Sequence, residues 1–127
     1  MSNQLELEKY LDPQQIEAVK TVDGYVRVFA GAGSGKTRVL TYRYAYLVEE
    51  AGVSSDKIAC ITFTVRAADE MKSRIRKLIG EKIGTVCTFN SLGSQILREE
   101  MHHISWLDKF GTKGDDTLNM LNGFQTY

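Results

Sequence analysis

Three short stretches rich in apolar residues, at 25–29, 57–63 and 82–89, predict β-strands, and each is followed by a longer stretch with helical spacing. The predicted helices cover about 35–50, 65–79 and 92–103. The clearest stripe is Ala67, Ala68, Met71, Ile75, Leu78 and Ile79, with Gly80 closing it. A shorter helix over 13–20 opens at Asp12-Pro13, a capping residue followed by proline at the first helical position. Residues 21–24 turn the chain into the first strand. Strands alternating with helices predict an α/β fold, a parallel sheet with crossover helices. Beyond His103 the periodicity lapses. Residues 109–117 mix glycine with charge and read as loop, while 118–127 fit a helix or a tail. The expected organisation is one α/β body over 1–104 and a loop or tail over 105–127.

Composition narrows the function classes. The 16 basic residues are matched by 16 acidic ones, so the chain lacks the overall positive charge of many nucleic-acid binders. Contact with a polyanion must come from a local patch. No apolar run is long enough to span a membrane, and the polar, acidic residues 1–8 are unlike a signal peptide. A cytoplasmic protein without membrane contact is expected. Cys60 and Cys87 fall in predicted strands and read as buried reduced thiols, not as a disulfide or a metal site.

The strongest chemical signal is Ala30-Gly31-Ala32-Gly33-Ser34-Gly35-Lys36-Thr37, between the first strand and its helix. Small residues let the backbone curl around phosphate oxygens with successive N–H groups pointing inward. The helix start adds a partial positive charge. Lys36 is suited to the β- and γ-phosphates, and the Thr37 hydroxyl to Mg²⁺. Only Ala30 departs from the G-x-x-x-x-G-K-[ST] pattern. The competing reading is a glycine-rich surface turn with a stray lysine, which the strand and helix context disfavours.

Ligands of open parallel sheets collect beyond the carboxyl ends of the strands. At the second and third such ends stand Thr62-Phe63-Thr64-Val65-Arg66 and Thr88-Phe89-Asn90-Ser91. Exposed rings flanked by polar donors suit single-stranded nucleic acid, whose bases stack on aromatic faces. Equally, Phe63 and Phe89 fit plugs that close the core at the strand ends, and the residues alone leave both readings open. Arg66, Lys72, Arg74, Arg76 and Lys77 favour the first reading weakly, since such charges commonly form a solvated helix face. The Gln15 amide can pair with a base edge or can complete a capping box with Asp12, and local context favours the cap. Tyr42 and Tyr46 read as packing residues, and His102 and His103 as surface residues.

Four ordered blocks carry a family resemblance: 11–19 (Leu-Asp-Pro-Gln-Gln-Ile-Glu-Ala-Val), 30–41 (the phosphate loop through Thr41), 61–71 (Ile-Thr-Phe-Thr-Val-Arg-Ala-Ala-Asp-Glu-Met) and 88–92 (Thr-Phe-Asn-Ser-Leu). Together they resemble the N-terminal motor segment of UvrD/Rep/PcrA-type superfamily 1 DNA helicases, over roughly residues 10–100. That family uses alanine at the position of Ala30. The resemblance implies an incomplete RecA-like P-loop NTPase sheet with flanking helices. It also implies binding of ATP with Mg²⁺ and of single-stranded DNA, and hydrolysis coupled to unwinding once the remaining helicase domains are present. It assigns Gln15 to the adenine, which overturns the capping preference. It gives the phosphates to the loop Ala30, Gly31, Ala32, Gly33, Ser34 and Gly35, the catalytic roles to Lys36 and Thr37, and a place near the nucleotide to Arg38. Thr37 also becomes the Mg²⁺ residue. Phe63, Thr64, Arg66, Phe89, Asn90 and Ser91 then grip DNA.

Three residues depart from the family's habit. Val65-Arg66 stands where Asn-Lys is usual, keeping the charge and losing an amide, and Asn90 replaces a histidine while remaining a hydrogen-bond donor. Asp115-Asp116 follows Gly-Thr-Lys-Gly instead of a strand, which argues against a Mg²⁺-aligning acidic pair there. The expected protein is therefore an N-terminal piece that alone hydrolyses ATP poorly. The alternatives are a stand-alone, non-catalytic ATP-binding module acting with partner subunits, or a small P-loop nucleotide kinase. The kinase is disfavoured by the lack of an Arg-rich lid.

Overall fold

The computed structural model describes residues 5–100. In chain order the elements are α1 (Leu7–Tyr10), α2 (Pro13–Lys20), α3 (Lys36–Glu49), a 3₁₀ turn (Ser55–Lys57), β1 (Ala59–Thr62), α4 (Val65–Ile79), β2 (Thr85–Thr88) and α5 (Phe89–Glu100). The class is α/β: β1 and β2 form a parallel pair, with α4 as the crossover between them. Among the described residues no helix is long and apolar enough to cross a membrane.

Helix starts follow their local chemistry. The Asp12 carboxylate accepts from the Gln15 N–H at 2.8 Å, and the Gln15 side chain accepts from the Asp12 N–H at 2.9 Å, a reciprocal capping box ahead of Pro13. Thr64 caps α4 through the Ala67 N–H at 3.1 Å. The predicted α4 stripe faces inward, with Ala68, Met71, Ile75 and Ile79 buried.

Two apolar clusters share α3. Leu7, Leu11, Val19 and Val39 knit α1, α2 and α3. Tyr44, Ala45, Ala68, Met71, Ile75, Ile79 and Val86 join α3 to α4 and β2. Polar groups inside this second contact find partners: the buried Thr41 hydroxyl reaches the Thr37 carbonyl at 2.7 Å and lies 3.2 Å from Met71 Sδ. The Tyr44 hydroxyl accepts from the Gly84 N–H at 2.6 Å, tying the entry of β2 to α3. Glycine is required at 84, because a Cβ there would lie 1.8 Å from the Ser55 carbonyl oxygen.

The expected first strand is corrected. Residues 25–29 form no ladder, and Tyr25 and Phe29 stand almost wholly in solvent. A strand exists only with a hydrogen-bonded neighbour, and β1 and β2 pair with each other. The other two strands are shorter than expected. Lys57 is taken by the 3₁₀ turn, and Phe63 and Phe89 fall outside the ladder. Phe89 opens α5, which therefore begins three residues before the expected start at Leu92. The short α1 was not anticipated. Cys87 is buried and Cys60 only half-buried, both as free thiols. His102, His103, Asp115, Asp116 and the expected loop or tail over 105–127 lie outside the described residues.

Candidate functional site

The loop 30–35 delivers the chain into α3. Ser34 closes a turn over Gly31, its N–H reaching the Gly31 carbonyl at 3.3 Å and its hydroxyl donating to the same oxygen. Gly33 and Gly35 take φ of 72° and 84°, left-handed values that a side chain strains to adopt. Gly31, Ala32, Gly33 and Ser34 are exposed, as are Lys36, Thr37 and Arg38, while Ala30 and Gly35 are half-buried.

The start of α3 differs from those of α2 and α4. Its N-cap is Gly35, and no side chain closes it. The N–H groups of a first helical turn have no acceptor within the helix. Here they are left facing solvent beside an exposed lysine, which is an arrangement suited to an anion.

Gln15 is brought to this loop. While its Oε1 completes the capping box, its Nε2 donates to the Ser34 carbonyl at 3.1 Å. A cleft of about 590 Å³ opens between α2, the loop and α3, with Gln15, Ser34, Lys36, Val28, Phe29 and Leu40 among its walls. Thr37 and Arg38 do not line it. Arg38 lies instead toward Tyr42, whose ring stacks on Tyr10 with centroids 5.8 Å apart. Burial, and next the neighbouring Tyr10, push the Tyr42 hydroxyl above the ordinary phenol range, with Arg38 opposing. The contact of Gln15 with Ser34 escaped the sequence reading. The capping motif Asp12-Pro13-Gln14-Gln15 marks the helix start but carries no signal of what lies across from it.

A second cluster forms at the strand ends. The register aligns Thr62 with Thr88, so Phe63 and Phe89 emerge side by side from one edge of the parallel pair. They are 95% and 73% exposed, so neither closes a core among the described residues. Thr62 Oγ1 donates to the Thr64 carbonyl at 3.0 Å, and the Thr64 hydroxyl is occupied in capping α4. Across the edge, Ser91 N–H donates to Thr88 Oγ1 at 3.2 Å, and that hydroxyl donates to Ser91 Oγ at 3.1 Å. Arg66 and Asn90, the second residues of their helices, are exposed, and so is Val65.

Comparison with known proteins places the chain in a family. The model of the UvrD/REP helicase N-terminal domain matches residues 11–125. The ATP-dependent DNA helicase PcrA of Staphylococcus aureus (strain NCTC 8325 / PS 47) is 47% identical over 97 residues, 75% of this chain and 13% of the relative. PcrA of Staphylococcus epidermidis (strain ATCC 12228 / FDA PCI 1200) is 48% identical over 100 residues, 77% of this chain and 14% of the relative. The chain thus spans a small part of the length of the curated relatives it matches.

Proposed function

The chain belongs to the UvrD/REP helicase N-terminal domain family, and from that membership we propose that it forms the ATP-gripping and DNA-gripping part of the first motor domain of an ATP-dependent DNA helicase. The uncapped start of α3, flanked by exposed Lys36 and Thr37, is the observation that carries this reading. Its free N–H groups and those of the glycine loop hold the phosphate tail, and the Lys36 ammonium neutralises the β- and γ-oxygens. The exposed Thr37 hydroxyl provides a protein oxygen for Mg²⁺. The nucleotide's own phosphate oxygens supply further ligands for that ion. Bound Mg-ATP supplies the cleavable anhydride and the ion that spreads its developing charge. Gln15 faces the base edge, whereas Arg38, which lies toward Tyr42 and does not line the cleft, is given no part in holding the base.

Single-stranded DNA lies along the paired strand ends. Phe63 and Phe89 offer ring faces to bases, and Thr64, Arg66, Asn90 and Ser91 hold the sugar-phosphate chain. Both sites then sit on one body, residues 1–104, that the remaining helicase domains complete into a cytoplasmic motor. A thermal-shift series tests the nucleotide half. The unfolding midpoint rises with Mg-ATP concentration, by about 2.7 kcal/mol of stabilisation at a hundredfold excess over Kd. Lys36→Ala removes the rise. An equal rise in that variant refutes the phosphate-loop assignment.

A further inference from the structure

We infer that Gln15 is a positioning residue for the phosphate loop itself, acting on triphosphate binding whatever base the nucleotide carries. The inference rests on the nucleotide reading above and extends it to a contact within the protein. The Gln15 Nε2 donates to the Ser34 carbonyl at 3.1 Å, across 19 residues of sequence. That carbonyl shares a planar trans peptide with the Gly35 N–H, so the two groups point in opposite directions. Holding the oxygen toward α2 therefore turns the Gly35 N–H away from α2 and fixes its direction at the α3 start. Without this restraint the peptide between Ser34 and Gly35 is free to rotate, because glycine tolerates many backbone conformations.

Gln15 is itself held. Its N–H and Oε1 are both bound to Asp12 at the head of α2, so the amide is fixed before any ligand arrives. Glycine at 35 permits the approach: a Cβ there would sit 3.2 Å from Gln15 Nε2. A primary amide has two N–H donors and an oxygen with two acceptor sites. The two contacts described use one of each, leaving one of each for a base edge. One side chain thereby links the base position to the phosphate loop.

Isothermal titration of the full chain with inorganic tripolyphosphate and with ATP tests this, because tripolyphosphate has no base. Gln15→Ala weakens both ligands by a similar factor, about threefold to tenfold for one lost positioning hydrogen bond. Gln15→Met, which keeps the side-chain length and helix propensity, behaves the same way and serves if the alanine variant folds poorly. Asp12→Ala removes the carboxylate that accepts the Gln15 N–H but keeps the backbone N–H that holds Gln15 Oε1, so the Ser34 contact stays and tripolyphosphate affinity is retained within about twofold. Loss of ATP affinity alone in the Gln15 variants, with tripolyphosphate binding unchanged, overturns the inference and leaves Gln15 as a base reader. Equal weakening in Asp12→Ala overturns it in favour of general helix stability. If the unaltered chain binds neither ligand, the nucleotide reading fails and takes this inference with it.

Discussion

Replacing Phe63 by alanine separates a ring that holds the fold from a ring that holds a ligand. Full burial of a phenylalanine contributes about 1.5–3 kcal/mol. Phe63 is 95% exposed, so only about a twentieth of that is at stake, roughly 0.1 kcal/mol of folding stability. Phe89 is 73% exposed, and the same scaling gives about 0.4–0.8 kcal/mol. Stacking on a base is worth about 1–3 kcal/mol by alanine substitution, or about 5- to 150-fold in Kd. For Phe63 the two effects differ by about an order of magnitude, and for Phe89 by only a few-fold.

The assay is fluorescence anisotropy of a labelled oligothymidylate titrated with the full chain at low salt, alongside urea unfolding of the same samples. Phe63→Ala should keep its urea midpoint while losing at least fivefold in DNA affinity. The dependence of the remaining affinity on salt should be unchanged, because a ring displaces no counterions from phosphate. Unaltered DNA binding would refute the stacking role. A stability loss above about 1 kcal/mol would show that the exposed ring is packed in solution.

Three further outcomes follow from burial and capping. Ile75→Ala, at a side chain with no exposure between α3 and α4, should cost about 2–5 kcal/mol in urea unfolding, and a cost below 1 would refute the assigned core. Thr64→Ala should cost about 1 kcal/mol through the lost cap on the Ala67 N–H, with Thr64→Ser restoring stability; failure of serine to rescue would point away from capping. Burial, and next the nearby Cys87, hold the Cys60 thiol above the ordinary range, so less of it is thiolate at any given pH. Site-resolved alkylation of Cys60 should therefore reach half its maximal rate at a higher pH than a model thiol, and an equal or lower pH would contradict the burial.

What the sequence made legible divides by the range of the interaction. The bounds of α2 and α4 were readable because their signals are local: Asp12-Pro13 at one start and a regular stripe ending at Gly80 in the other. Residues 25–29 have the composition of a strand and no ladder, since apolar content records a demand for burial while pairing depends on what lies alongside. The end of β2 was misplaced for a related reason. Phe89 suits a strand by type, yet the Thr88 hydroxyl accepts the Ser91 N–H and turns the backbone into α5 at once.

The site divides in the same way. Glycine spacing marked the turn into α3, because positive φ values at Gly33 and Gly35 are a local backbone requirement. The two readings of Gln15 were treated as rivals, a cap or a ligand contact. The geometry shows the cap and adds a contact that neither reading contained: the Asp12 N–H holds the amide oxygen while the amide nitrogen reaches the Ser34 carbonyl. Phe63 and Phe89 illustrate the converse. Each is ambiguous in its own segment, and only the register of Thr62 against Thr88 sets the rings side by side on one edge. The exposed pair is therefore a property of strand alignment, which no single block of sequence contains.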